Sequence, residues 1–438
     1  MLSPHRRAGI LDALRRGTVP RDGLAAFAVG MERFEAALDT ELDAVALGRG
    51  TFKAVRGEYG SGKTFFARWL QERARLRGFA TSEVQVSETE TPLHRMETVY
   101  RRMTERLATA DSPEGALRGV LDGWFYTLEE EVLAEGTVSA DDAETLVTAT
   151  DRLMERRLAT VSRSAPAFSA VLRAYRRALL VNDPALAEGL IAWLGGQPNV
   201  AAAIKRPAGV KGDIDHFSAT HFLAGLLAIL RDSGHAGLLL VLDEAETLQR
   251  MRADTREKGL NALRQLVDEI DAGRYPGLYL LVTGTTAFFE GPQGVQRLPP
   301  LAQRLQVDFA TEARFDNPRA VQIRLPGFDL DLLARVGGRV RDLFAEQAQA
   351  AERVRAVVDD RYIQDLAHAV TGELGGRVGI APRLFLKKLV AEVLDRVDQF
   401  ADFDPRRHYA PTLAEDEMTP AERAGAGARS VDDIELKL

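Results

Sequence analysis

Residues 51–64 read TFKAVRGEYGSGKT, and this stretch decides the fold. Its first half, TFKAVRG (51–57), is a short β-type run. Its second half, Gly57-Glu58-Tyr59-Gly60-Ser61-Gly62-Lys63-Thr64, fits the pattern G-x-x-x-x-G-K-[ST]. Successive backbone N–H groups must converge on one concavity, which calls for glycines that tolerate unusual φ/ψ. A helix starting at such a loop aims its N-terminus at a phosphate. FFARWLQERARLRG (65–78) supplies that helix, beginning at Phe65 and closed by Gly78. In this arrangement Lys63 reaches the β- and γ-phosphates of a nucleoside triphosphate, and Thr64 ligates magnesium.

Working outward, ATSEVQVS (80–87) alternates and is rich in β-branched residues, so it reads as a second strand. A strand, a helix and a strand in that order argue for a parallel sheet. Strand signals then fade from about 92 to 235, where periodic segments such as LHRMETVYRRMTERLAT point to a large helical insertion. GLLLVLDE (237–244), GLYLLVTG (277–284) and VQIRLPGF (321–328) read as three further strands, with a helix over 257–272 between the first two. Two amphipathic helices, 5–16 and roughly 31–47, precede the glycine loop. The chain is helical again from 329 to about 400. The expected organisation is therefore N-terminal helices over 1–50, an α/β core over 51–328 carrying the insertion, a helical module over 329–400, and a loosely ordered tail over 401–438.

The strand LLLVLDE (238–244) ends in two acids. A buried apolar strand delivers carboxylates to its C-terminal edge, where open α/β sheets bind ligands. Asp243 is placed to hold magnesium, and Glu244 to orient and activate an attacking water. The bland alternative makes Asp243 a helix N-cap. Glu246 reads as a surface acid. Metabolite kinases share the glycine loop, but they are shorter and rarely combine such an acid pair with a C-terminal helical module.

Composition narrows the class. The 438 residues are 45% hydrophobic and 28% charged, which excludes a disordered or fibrous chain. Net charge is −7, so bulk charge does not point to a polyanion. Cysteine is absent, which excludes disulfides, thiol catalysis and cysteine-ligated zinc. No apolar run approaches the ~20 residues of a membrane span, and no export signal is evident. A cytoplasmic location with no membrane association is expected.

The order of these parts resembles AAA+ ATPases, particularly their origin-recognition branch. The strings LRRGTVP (14–20), AFAVGMERFEAALD (26–39), FKAVRGEYGSGKTFFARWL (52–70), VLDEAE (241–246), LVTGTTAFFEGPQGVQRLPPLAQRL (281–305) and GIAPRLFLKKLV (379–390) resemble the BrxD-like ATP-binding proteins of BREX anti-phage defence islands. That resemblance implies a three-layer αβα P-loop core with a C-terminal lid, binding ATP and Mg2+. It implies Thr285, or else Thr283, at the γ-phosphate or lytic water. Arg304, or else Arg297, would complete a neighbouring copy's site in a homo-oligomer. Arg383 would sense nucleotide from the lid, and Val29 and Gly30 would lie near adenine. Implied partners are an Lhr-like helicase, other defence proteins and double-stranded DNA.

For DNA the sequence offers Arg95, Arg101, Arg102, Arg106, Arg118, Arg173, Arg176 and Arg177 in the insertion, either as a phosphate-binding face or as solvated residues paired with acids. Trp124, Phe125 and Tyr126 read as core. No C-terminal winged helix, the usual DNA reader of that branch, is evident. The expected activity is slow ATP hydrolysis that loads or regulates a partner. A nucleotide-gated switch without turnover and a DNA-binding initiator are the alternatives.

Overall fold

The computed structural model describes residues 2–372 and 382–411. Residues 379–381 of the GIAPRLF string and the tail from 412 lie outside the described residues. Five strands form one sheet: β1 (Thr51–Arg56), β2 (Ala80–Gln85), β3 (Leu238–Asp243), β4 (Leu278–Gly284) and β5 (Gln322–Arg324). Their order across the sheet is β2-β3-β4-β1-β5, and every pairing is parallel. The architecture is helix-rich α/β, consistent with a P-loop NTPase-like fold.

The strands are apolar on both faces because helices cover both. Leu238, Leu240 and Leu242 of β3 face one core, with Leu278, Leu280 and Val282 of β4. Leu239 and Val241 face the other, with Tyr279 and Leu281. Period-2 alternation therefore splits β3 and β4 between two cores. Three helices belong to the second core: α1 (Pro4–Arg15), α2 (Glu32–Ala46) and α3 (Lys63–Leu76). Phe66, Ala67, Leu70 and Ala74 form the buried stripe of α3. The helices between Leu330 and Gln399 pack on the same side.

The first core runs into a helical unit between Met96 and Asp232. Phe222 is its packing centre, with Phe168 at 5.1 Å, Trp193 at 5.8 Å and Tyr100 at 6.1 Å between ring centroids. Gly225 lets Phe168 approach, since a Cβ there would lie 2.7 Å from its ring. Trp124 is fully buried and donates from Nε1 to Asp232 at 2.7 Å. Tyr126 corrects the core expectation. Its neighbours Trp124 and Phe125 take the inward face of their helix, and Tyr126 is left 63% exposed.

Of the eight arginines singled out in the insertion, six pair with acids. Arg176 is 3% exposed and clamps Asp151 and Glu129 at 2.7 and 2.8 Å, so of its two readings it takes the acid-paired one, buried rather than solvated. Arg95 meets Glu97, Arg101 meets Glu105, Arg102 meets Glu90 and Glu105, Arg118 meets Glu188, and Arg173 meets Glu155. Arg106 and Arg177 are exposed. Among the described residues, no helix is long and apolar enough to cross a membrane.

Helix α1 packs against the C-terminal helices. Arg15 grips Asp395 with two hydrogen bonds of 2.7 and 2.8 Å, and Arg7 meets Glu346. After α1 the chain crosses back toward α3. There the backbone N–H groups of Gly23, Leu24 and Ala25 all donate to the Glu72 carboxylate.

Candidate nucleotide site

Strands β1, β3 and β4 lie side by side, so the loops after them meet at one sheet edge. The loop after β1 is shaped by its glycines. Gly60 and Gly62 take φ of 80° and 89°, values that disfavour any side chain. A Cβ on Gly57 would collide with the Ser61 side chain and press on the Leu325 carbonyl. Lys63, the first residue of α3, folds back and donates to the Gly57 and Glu58 carbonyls at 2.9 and 3.2 Å. Its ammonium also lies 5.3 Å from the Tyr59 ring centre. Arg250 donates to the Tyr59 hydroxyl at 3.2 Å.

Asp243 ends β3 and is 4% exposed. It accepts from the Thr64 hydroxyl at 3.0 Å and from the Thr283 hydroxyl. Burial pushes the Asp243 carboxyl up, with the two threonine bonds opposing. The next residue, Glu244, has φ 59° and ψ 42°, a left-handed conformation uncommon for a non-glycine residue. Its N–H donates to Thr283 at 3.2 Å, and its carboxylate accepts from the Gln85 amide at 2.8 Å. Non-glycine residues held this way cost about 1–3 kcal/mol and cluster at functional sites.

The left-handed step turns the chain into a tight 3₁₀ turn, Ala245–Arg250. It swings Glu246 inward, which corrects its reading as a surface acid: Glu246 is 4% exposed. Its carboxylate lies 3.9 Å from the Lys63 ammonium. Burial raises Glu246 and lowers Lys63, each partly offset by the other's charge.

A pocket opens beside these groups. Polar residues Lys63, Thr64, Asp243, Glu244 and Glu246 line one end. Val19, Phe27, Val29, Met31, Phe328 and Leu386 line the rest, with Phe65 packed edge-on to Phe27 at 5.3 Å. A mostly apolar cleft with a few convergent polar groups is the usual form of a small-molecule site. Arg383 and Tyr59 also line it. Gly30 sits one residue from the lining and takes φ 76°, with Leu332 close to where a Cβ would stand.

The remaining expected residues divide. Thr285 is 3% exposed, and its hydroxyl accepts from the Phe288 N–H at 3.2 Å, capping a short helix. The threonine that touches the acid pair is Thr283. Arg304 is bound to Asp268 and Asp271 at 2.7 and 2.6 Å, away from the pocket. Arg297 is exposed in a separate turn. Sequence reasoning passed over Gln85 and mistook Glu246. The register that sets Gln85 opposite Asp243 was the missing signal for the first.

The site's oxygen set fits magnesium. A hydroxyl and a carboxylate 3.0 Å apart offer hard donors, and Mg2+ is typically held by one or two side chains together with substrate phosphates. Ser61 Oγ and Glu246 Oε2 are buried without a hydrogen-bond partner among the described residues. Orphaned buried polar atoms in a native fold call for an explanation, and an absent ligand is one.

A family model described as BREX system ATP-binding protein BrxC/D matches residues 2–413. The chain belongs to this family. The match takes in the glycine loop, the acid pair, the insertion and the described C-terminal helices of this BrxC/D-family chain. No curated protein matches it.

Proposed function

We propose that this BrxC/D-family chain binds ATP with Mg2+ and hydrolyses it as an AAA+ ATPase, using the cycle to load or regulate a partner in anti-phage defence. The observation that carries the proposal is the hydrogen-bonded set Thr64–Asp243–Thr283, with Glu244 following Asp243 in sequence and Lys63 at the same end of the pocket. Thr64 and Asp243 would hold Mg2+. That ion would neutralise charge developing on the transferred phosphoryl group. The loop N–H groups of residues 57–64 and the Lys63 ammonium bind and orient the phosphates. Glu244 accepts a proton from the attacking water. Val29 and Phe27 offer apolar contact to the base, and Arg383 faces the nucleotide from the C-terminal helices, which serve as the lid.

A partner-regulated rate follows from one contact. Gln85 donates to one oxygen of the exposed Glu244 carboxylate and so restrains where that carboxylate points. The same contact favours a second reading, a nucleotide-gated switch that stays silent until a partner frees Glu244. A helicase or DNA of the defence system is the partner class proposed. The ion pairing of six of the eight candidate arginines argues against those residues forming a DNA-binding face.

Phosphate release by wild type and Glu244→Gln, across protein concentration and with or without duplex DNA, tests the proposal. Turnover by wild type alone supports hydrolysis. Binding without turnover in both supports the switch. A rate per chain that rises with concentration makes Arg304 or Arg297 of a second copy the next target.

A further inference from the structure

Glu246 has no assigned task in the proposed chemistry, yet it is placed where it must affect the phosphates. It is buried on the polar end of the pocket, 3.9 Å from the Lys63 ammonium, with Oε2 unpartnered among the described residues. Buried carboxylates without full partners are costly, so a fold that keeps one is using it or tolerating it. Lys63 is bonded to two carbonyls of its own loop, and Glu246 is the acid nearest to it. An arriving nucleotide must therefore take the lysine from an arrangement that already satisfies it. Asp243 and Glu244 stand at the same end of the pocket, so the incoming phosphates meet three acids and one buried lysine.

We propose that Glu246 is a positioning residue that holds Lys63 in the nucleotide-free site and competes with phosphate for it, so that tight binding requires a divalent cation to accompany the nucleotide. This rests on the nucleotide reading of the pocket and adds a role to it. Held back by Glu246, Lys63 withholds an attraction that scales with ligand charge. Free ATP carries about −4 and Mg–ATP about −2, so withholding the lysine penalises the free form by roughly the square of the factor it imposes on the complexed form.

The test is calorimetric titration of a non-hydrolysable ATP analogue into the full chain, once with Mg2+ and once with EDTA. Wild type, Glu246→Gln, Glu246→Asp, Lys63→Met and the Lys63→Met/Glu246→Gln double variant are compared. Glu246→Gln is expected to tighten EDTA binding about tenfold and Mg2+ binding about threefold, which narrows the ratio of the two Kd values about threefold. Glu246→Asp keeps the charge and is expected to keep the wild-type ratio. In the Lys63→Met background, adding Glu246→Gln is expected to change either Kd by less than about twofold, because the lysine it acts through is gone.

An unchanged ratio in Glu246→Gln, or weaker binding in both conditions, overturns the role. So does full tightening that persists without Lys63. Thermal denaturation of each variant separates loss of fold from loss of binding. Should Glu246→Gln fail to fold, the Glu246→Asp ratio decides: a ratio that departs from wild type refutes the proposal. A wild type that binds no nucleotide in either condition overturns the nucleotide reading itself.

Discussion

Gln85 offers the sharpest check on how the site is held. Its side-chain amide donates to Glu244 Oε2 at 2.8 Å, and β2–β3 pairing sets Gln85 opposite Asp243, which fixes where that amide lies. A hydrogen bond to a charged group contributes about 1.5–3 kcal/mol when water is excluded. Both residues here are exposed, so about 1 kcal/mol is the appropriate figure. At about 1.4 kcal/mol per tenfold, releasing Glu244 corresponds to roughly a fivefold rise in turnover. Gln85→Ala is therefore expected to hydrolyse ATP about fivefold faster than wild type at saturating ATP and Mg2+, with little change in KM. Adding Glu244→Gln should erase the gain. Continuous phosphate-release kinetics read both. A fall in rate would refute the restraint, because it would mean Gln85 holds Glu244 in its working position.

Three further outcomes follow from the geometry. Thr283→Val removes a donor to the buried Asp243 carboxylate and is expected to weaken Mg2+-dependent binding, whereas Thr285→Val costs about 0.5–2 kcal/mol of stability through its lost cap and leaves the Mg2+ dependence intact; titration and denaturant unfolding distinguish them. Asp243 has a raised folded-state pKa, so the native chain binds more protons than the unfolded chain just above the usual carboxylate range, and stability falls as pH rises through that window. Asp243→Asn should raise the nucleotide-free Tm at neutral pH and flatten that slope in a pH series of melts. Phe222→Ala opens a cavity among Phe168, Trp193 and Tyr100 and is expected to cost about 3–5 kcal/mol in urea unfolding.

Strands β3 and β4 were legible because a parallel strand buried on both faces is apolar at nearly every position, and turn glycines bound them. Gly237 and Gly277 stand immediately before β3 and β4 with positive φ. The glycine loop was legible for the same reason, since its backbone dictates its residue types. Side chains at the site were less so. Thr283 and Thr285 are two positions apart, and choosing between them requires knowing that β4 runs through Gly284, leaving Thr285 to start a helix. Glu246 was misread because helical or extended continuation after β3 would point it outward, and only the left-handed Glu244 turns it in. Arg176 pairs with acids, as one of its two readings had it, but inside the core, where Asp151 and Glu129 reach it from other helices.

One consequence joins the site to the helices around it. The segment Gly17–Pro20 lines the pocket. Upstream it is fastened to the C-terminal helices through Arg15 and Asp395, and downstream it is fastened to α3 through Glu72. Gly17 and Gly23 sit near the two anchors with φ of 66° and 76°, so the span can pivot where a side chain would resist. Arg383 stands beside Gly17, within contact distance of where a Cβ would be. A ligand in the pocket thus touches a span tied to both helical groups. Since α3 begins with Lys63 and Thr64, movement there is movement of the residues proposed to meet the phosphates. Pocket occupancy and the placement of the C-terminal helices are therefore coupled through the Gly17–Pro20 span.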